Sequence, residues 1–114
     1  MVDRIEEIEY NIKECFLSVD RSRIDSEHVR EALESLLIFL GEVGELESLA
    51  EKEYLKALKN AIDLCEKKGE RLIIKYCEVS CFEEKALFTR ARSLNFNLKA
   101  AVSAIQTDLK FFEG

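Results

Sequence analysis

Apolar residues recur along nearly the whole chain at intervals of three and four, the period of an α-helix. Val2, Ile5, Ile8, Ile12, Cys15, Phe16 and Val19 mark a first helix predicted over about Val2 to Val19. The polar stretch Asp20-Arg21-Ser22-Arg23 reads as a connector. Asp25 or Ser26 is placed to cap a second helix, with Glu27 adding negative charge to its first turn. Val29, Ala32, Leu33, Leu36, Leu37, Leu40, Val43 and Leu46 form a wide stripe on that helix. Gly41 and Gly44 fall within it, each costing about 1 kcal/mol relative to alanine. They are read as helical positions that let another backbone or a ligand come close. A turn is expected between Glu47 and Lys52.

A third helix is predicted from about Glu51 to Lys68, carrying Tyr54, Leu55, Ala57, Leu58, Ala61, Ile62, Leu64 and Cys65. Lys67, Lys68 and Gly69 close it with cations followed by a glycine. A further helix starts near Glu70, and Ser80-Cys81-Phe82-Glu83 has the form of a capping box, so a break is expected near Val79. The pattern then stays helical through Phe82, Ala86, Leu87, Ala91, Leu94, Leu98, Ala101, Val102, Ile105 and Leu109 to Phe112, with Asn95 and Asn97 a weak interruption. The expected architecture is an all-α bundle of four or more helices forming one domain over residues 1–114. So long a last helix on so small a chain points to a surface buried against another subunit, in a homodimer or homotetramer.

Composition narrows the function classes. The chain has no proline, 35% charged residues and a net charge of −6. An acidic surface disfavours nucleic acid and anionic membranes as nonspecific partners. The longest aliphatic or aromatic run is only Leu36 to Leu40, so neither a signal peptide nor a membrane span is expected and the location is read as cytoplasmic. Cys15, Cys65, Cys77 and Cys81 are then read as reduced. Cys77 and Cys81 share a helical face, but without further paired spacing they are read as core thiols rather than metal ligands.

Carboxylates three residues apart on a helix project side by side. Glu-x-x-Glu occurs as Glu6/Glu9, Glu31/Glu34 and Glu42/Glu45. Glu6 and Glu9 look like ordinary solvated acids. Glu42 and Glu45 border the apolar stripe, where paired acids are either a costly packing arrangement or a cation site. Two carboxylates hold a divalent ion poorly, and a neighbouring helix would have to complete the shell. Asn60 and Asp63, with the same spacing on the third predicted helix, would converge on Glu42 and Glu45 if the two helices were antiparallel neighbours. Both project away from the centre of that helix's apolar face and would border a groove at best.

Ser35 to Leu46, with its Gly-Glu-Val-Gly-Glu-Leu ending, resembles the first motif of the MazG-like all-α NTP pyrophosphohydrolase superfamily. Asn60-Ala61-Ile62-Asp63 is similar to the second. The resemblance covers about residues 26 to 68. It implies a helical dimer or tetramer that uses Mg²⁺ to split nucleoside triphosphates into monophosphate and pyrophosphate. Glu42 and Glu45 match the family's metal-binding pair, one of them a candidate to orient the attacking water, and Asp63 matches its aspartate. Gly41 stands where a first acid is common. Asn60 stands where the family has glutamate, which removes a negative charge from the metal site.

Lys67, Lys68, Arg71 and Lys75 form a local basic cluster that could meet phosphates, although cations at a helix end are ordinary. Phe82, Phe88, Phe96, Phe111 and Phe112 could line a base pocket, but at helical spacing they fit a core. His28 is the only histidine, so no Ser/His/Asp or Cys/His set is available. The competing expectation, from a different class, is a non-catalytic helical interaction or assembly protein. Asn60 and the polar-side position of Asp63 favour it.

Overall fold

The computed structural model describes residues 1–21, 26–65 and 70–113, all but Met1 and Cys81 of them helical. Helix α1 runs Val2–Arg21, α2 Ser26–Cys65, α3 Glu70–Ser80 and α4 Phe82–Glu113. None is long and apolar enough to cross a membrane. The molecule is a rod of 64 × 25 × 17 Å. Its length is set by α2, whose 40 residues span about 60 Å at 1.5 Å per residue.

The turn expected between Glu47 and Lys52 does not exist: α2 passes straight through it. The segment Glu47-Ser48-Leu49-Ala50-Glu51-Lys52 contains no glycine, proline or asparagine to stop a helix. The apolar stripe also keeps its phase, so Leu36, Val43, Ala50, Ala61 and Cys65 are all buried along one side. Gly41 and Gly44 are helical as expected, but nothing lies within 4 Å of where a Cβ would stand on either. No other part of the described chain makes use of the space they leave.

Between α3 and α4 the expected break falls at Cys81. The Cys81 amide donates to the Cys77 carbonyl at 3.0 Å and the Lys85 amide to the Cys81 carbonyl at 2.9 Å. This i→i−4 pattern is that of a helix continuing through a local distortion. The chain after residue 70 is therefore close to one long helix, laid antiparallel on α2. The pairing shows the register. The Asn95 amide nitrogen donates to the Glu47 carboxylate at 2.5 Å. Seven residues further along α2, Tyr54 stacks on Phe88, seven residues further back along α4, with ring centroids 6.1 Å apart.

Helix α1 thickens one part of this hairpin. Its Ile8 and Ile12 join Val29, Leu36 and Val43 of α2 and Leu98, Val102, Ile105 and Leu109 of α4 in the main core. Beyond the reach of α1 the rod is two helices thick. There Ala61, Cys77 and Cys81 are buried, with Tyr54, Ala57 and Leu58 packed against them. Alanine and cysteine dominate this second core, so it has little bulk with which to cover larger neighbours. Seven of the large apolar side chains that stay exposed, Leu55, Ile62, Leu64, Ile74, Tyr76, Val79 and Phe82, lie on this arm.

Candidate functional site

The acidic pair was the leading site, and its two members face different neighbours. Glu42 is half-buried and its carboxylate accepts a 2.6 Å charged hydrogen bond from the Arg4 guanidinium of α1. Arg4 also reaches Glu7 at 3.1 Å. Glu45 is exposed and lines an open depression with Gly41, Gly44, Ser48 and Leu49. One acid helps dock α1, while the other faces solvent.

The partners expected to complete the site stand far away. Asn60 and Asp63 are exposed on the same helix as Glu42 and Glu45. At 1.5 Å per residue, Glu45 and Asn60 are separated by about 22 Å and Glu42 and Asp63 by about 32 Å. The predicted convergence required a helical hairpin, and the continuous α2 removes it. Within one chain these four side chains cannot share a Mg²⁺ ion, whose ligands lie about 2.0–2.1 Å from the metal. Among the described residues, no three His, Cys, Asp or Glu side chains are grouped so as to hold a metal. Of the proposed phosphate contacts, Lys67 and Lys68 lie outside the described residues, and Arg71 belongs to α3 with its side chain not among those described.

Compared with known protein families, curated proteins and solved structures, the chain matches none. The likeness to MazG-like enzymes thus rests on its motif residues alone.

Other features went unread in the sequence. Glu6 is exposed, as expected of a solvated acid, with Arg90 of α4 at 3.9 Å, but Glu9 is half-buried and pairs with Arg90 at 2.7 Å, tying α1 to the hairpin. Asn95 does not interrupt the helix but lies inside α4 and turns toward α2. The distal arm also carries a groove of about 270 Å³. Tyr54, Leu58 and Ile62 of α2 line one side and Ile74, Cys77 and Cys81 the other, with Glu78 and Lys85 at the rim. The signal was present as apolar residues four apart beside the main α2 stripe. A wide stripe reads as one core, however, until the structure shows Leu55, Ile62 and Leu64 exposed at its edge.

The Cys81 thiol of the groove is a poor nucleophile. Burial pushes the Cys81 thiol above its ordinary pKa, and nearby Cys77 and Glu84 push it further in the same direction. Burial also raises Cys15, against a lowering hydrogen bond with Ser35. A protonated thiol neither attacks nor binds metal readily. What the groove offers a ligand is apolar surface with one charge of each sign at its edge.

Proposed function

We propose that this protein is a non-catalytic helical assembly protein that associates with copies of itself through its distal arm. The observation that carries the reading is the uncovered apolar surface of that arm. Ile62, Ile74 and Phe82 remain 43, 54 and 68% exposed around the groove. Apolar clusters concentrated in one region, rather than scattered singly, are the usual mark of an association surface. A two-helix section buries only the facing strip of each helix, and a further helical layer covers the rest. Sedimentation equilibrium across a concentration series tests the reading. Reversible association is expected, and a monomer throughout would overturn it.

A second reading keeps the MazG-like scaffold and its nucleotide chemistry. The observation that favours it is a coincidence of phase along α2. Glu42 and Asn60 are five helical turns apart, as are Glu45 and Asp63, so all four lie along one side of the helix. An antiparallel pair of α2 helices, with its two-fold axis between Lys52 and Glu53, sets each Glu42 opposite Asp63 of the partner subunit. The same axis sets Glu45 opposite the partner subunit's Asn60. A Mg²⁺-dependent pyrophosphate-release screen over nucleoside triphosphates tests it. Turnover that disappears in Glu42→Ala and Glu45→Ala would carry this reading over the first, and no turnover at millimolar Mg²⁺ would end it.

A further inference from the structure

Helix α4 also has an exposed face away from the groove. Phe82, Ala86, Thr89, Ser93, Phe96 and Ala100 follow one another in steps of four and three residues, all exposed, on the side of the helix opposite the buried Ala91, Leu98 and Val102. The outward line of a surface helix ordinarily carries its charges. This line carries none, and on it Phe82 and Phe96 stand 68 and 72% exposed, two heptads apart. Two shallow depressions lie end to end along it and share Thr89 and Ser93. Phe82 and Lys85 border the first, Phe96 and Arg92 the second. Bulky residues separated by hollows at these steps are the surface that a second helix packs against.

The charges beside the line decide which helix. Lys85, Arg92 and Lys99 recur at seven-residue intervals, about 10.5 Å apart, and form one edge of the face. Among the described residues none of the three is in an ion pair. The other edge carries Glu83 and Arg90, and Arg90 is already engaged by Glu6 and Glu9 of α1. Glu78 of α3 reaches only the first depression. From Lys85 to Lys99 the helix holds four cations and no acid, on a chain whose net charge is −6. A second α4 does not fit this face. Packed antiparallel, the two cation edges meet each other; packed parallel in register, Lys85 meets the partner subunit's Arg90. A lipid surface rewards bulky apolar side chains along a whole line, and between the two phenylalanines this line has only Ala86, Thr89 and Ser93.

We propose that this face of α4 docks an acidic amphipathic helix of a partner protein, with carboxylates at seven-residue intervals against Lys85, Arg92 and Lys99 and aliphatic side chains seated in the two depressions. Flanking charges of one sign choose the partner and its orientation, and the apolar contacts with Phe82 and Phe96 hold it. The proposal does not rest on self-association through the arm, whose groove shares only Glu78 and Lys85 with the two depressions.

The probe is a fluorescent peptide of three heptads, with leucine at both core positions and glutamate at the flanking ones; its like charges keep it from pairing with itself. Anisotropy at low salt should show saturable binding to the wild type that weakens as salt is raised. Phe96→Ala and the double reversal R92E/K99E should each weaken binding about tenfold. These side chains are exposed, and circular dichroism melts should be unchanged. Ile62→Ser, in the groove, should leave binding as it was, and the same peptide with lysine at its flanking positions should not bind. No binding of the acidic peptide, or binding indifferent to R92E/K99E and Phe96→Ala, would overturn the proposal, and so would loss in Ile62→Ser alone. Phosphatidylserine vesicles or a single-stranded oligonucleotide bound through Arg92 and Lys99 in place of the peptide would overturn the class of partner. Self-association of the protein alone that weakens in Phe96→Ala would give the face to a second copy and overturn it too.

Discussion

Asn95 donates its side-chain amide hydrogen to the Glu47 carboxylate across the α2–α4 interface, at 2.5 Å and partly shielded from water. A polar pair in an otherwise apolar seam costs desolvation and returns specificity, because any slip of register leaves both groups unpaired. Asn95→Ala should therefore cost about 1–3 kcal/mol in urea unfolding, most of it from the stranded carboxylate. The double variant Glu47→Leu/Asn95→Leu should recover much of that loss. Losses in Glu47→Leu and Asn95→Leu that sum to the loss in the double variant would show the pair to be uncoupled.

Gly41 and Gly44 are both inside α2, have no positive φ and meet nothing where a Cβ would go. Replacing either by alanine should stabilise the fold by about 0.5–1 kcal/mol through the helix propensity and the unfolded-state entropy. The readout is the urea midpoint at an unchanged m-value. A loss of stability in dilute protein would mean that something unseen in the single chain occupies that space.

Glu42 is engaged by Arg4 at a partly exposed site, so Glu42→Gln should cost less than about 1 kcal/mol, and less again at high salt. On the assembly reading, millimolar Mg²⁺ leaves the melting temperature of the wild type where it was. A Mg²⁺-dependent rise that Glu42→Gln abolishes would instead support the nucleotide reading.

The Cys81 thiol has a pKa raised chiefly by burial, so the folded state holds its proton longer than the unfolded chain. Below the ordinary thiol pKa of about 8.5 both states are protonated and the contribution is level. As pH rises above that value the unfolded chain ionises first, and stability falls until the folded thiol also titrates. Between pH 7 and pH 10 the wild type should therefore lose more stability than Cys81→Ala, measured by urea unfolding. Equal losses in the two proteins would assign the change to other groups.

Most of the helical content was legible because it is written locally. Spacing, capping residues and the absence of proline mark α1, the start of α2 and the run of α4 without reference to anything distant. Leu36, Val43, Leu98, Val102, Ile105 and Leu109 could each be assigned to a buried stripe from periodicity, and all are buried. The turn expected between Glu47 and Lys52 has no residue to make it, and α2 runs through. The local signal there favours one long helix, because Glu47 to Lys52 holds no glycine, proline or asparagine and the stripe keeps its phase through it.

The candidate site depended wholly on that choice. Sequence by itself determined which residues are acidic, apolar or small, and at which helical phase, so it could place Glu42 and Glu45 beside a core edge. Only the tertiary structure decided that Asn60 and Asp63 lie about 22–32 Å farther along the same helix, and that Arg4 holds Glu42. It also decided that α1 packs on one section of the rod, while Ile62, Ile74 and Phe82 of the arm stay exposed. The physical reason is that helical phase is set by each residue's near neighbours. Which faces meet, and which stay uncovered, is set by contacts between residues tens of positions apart.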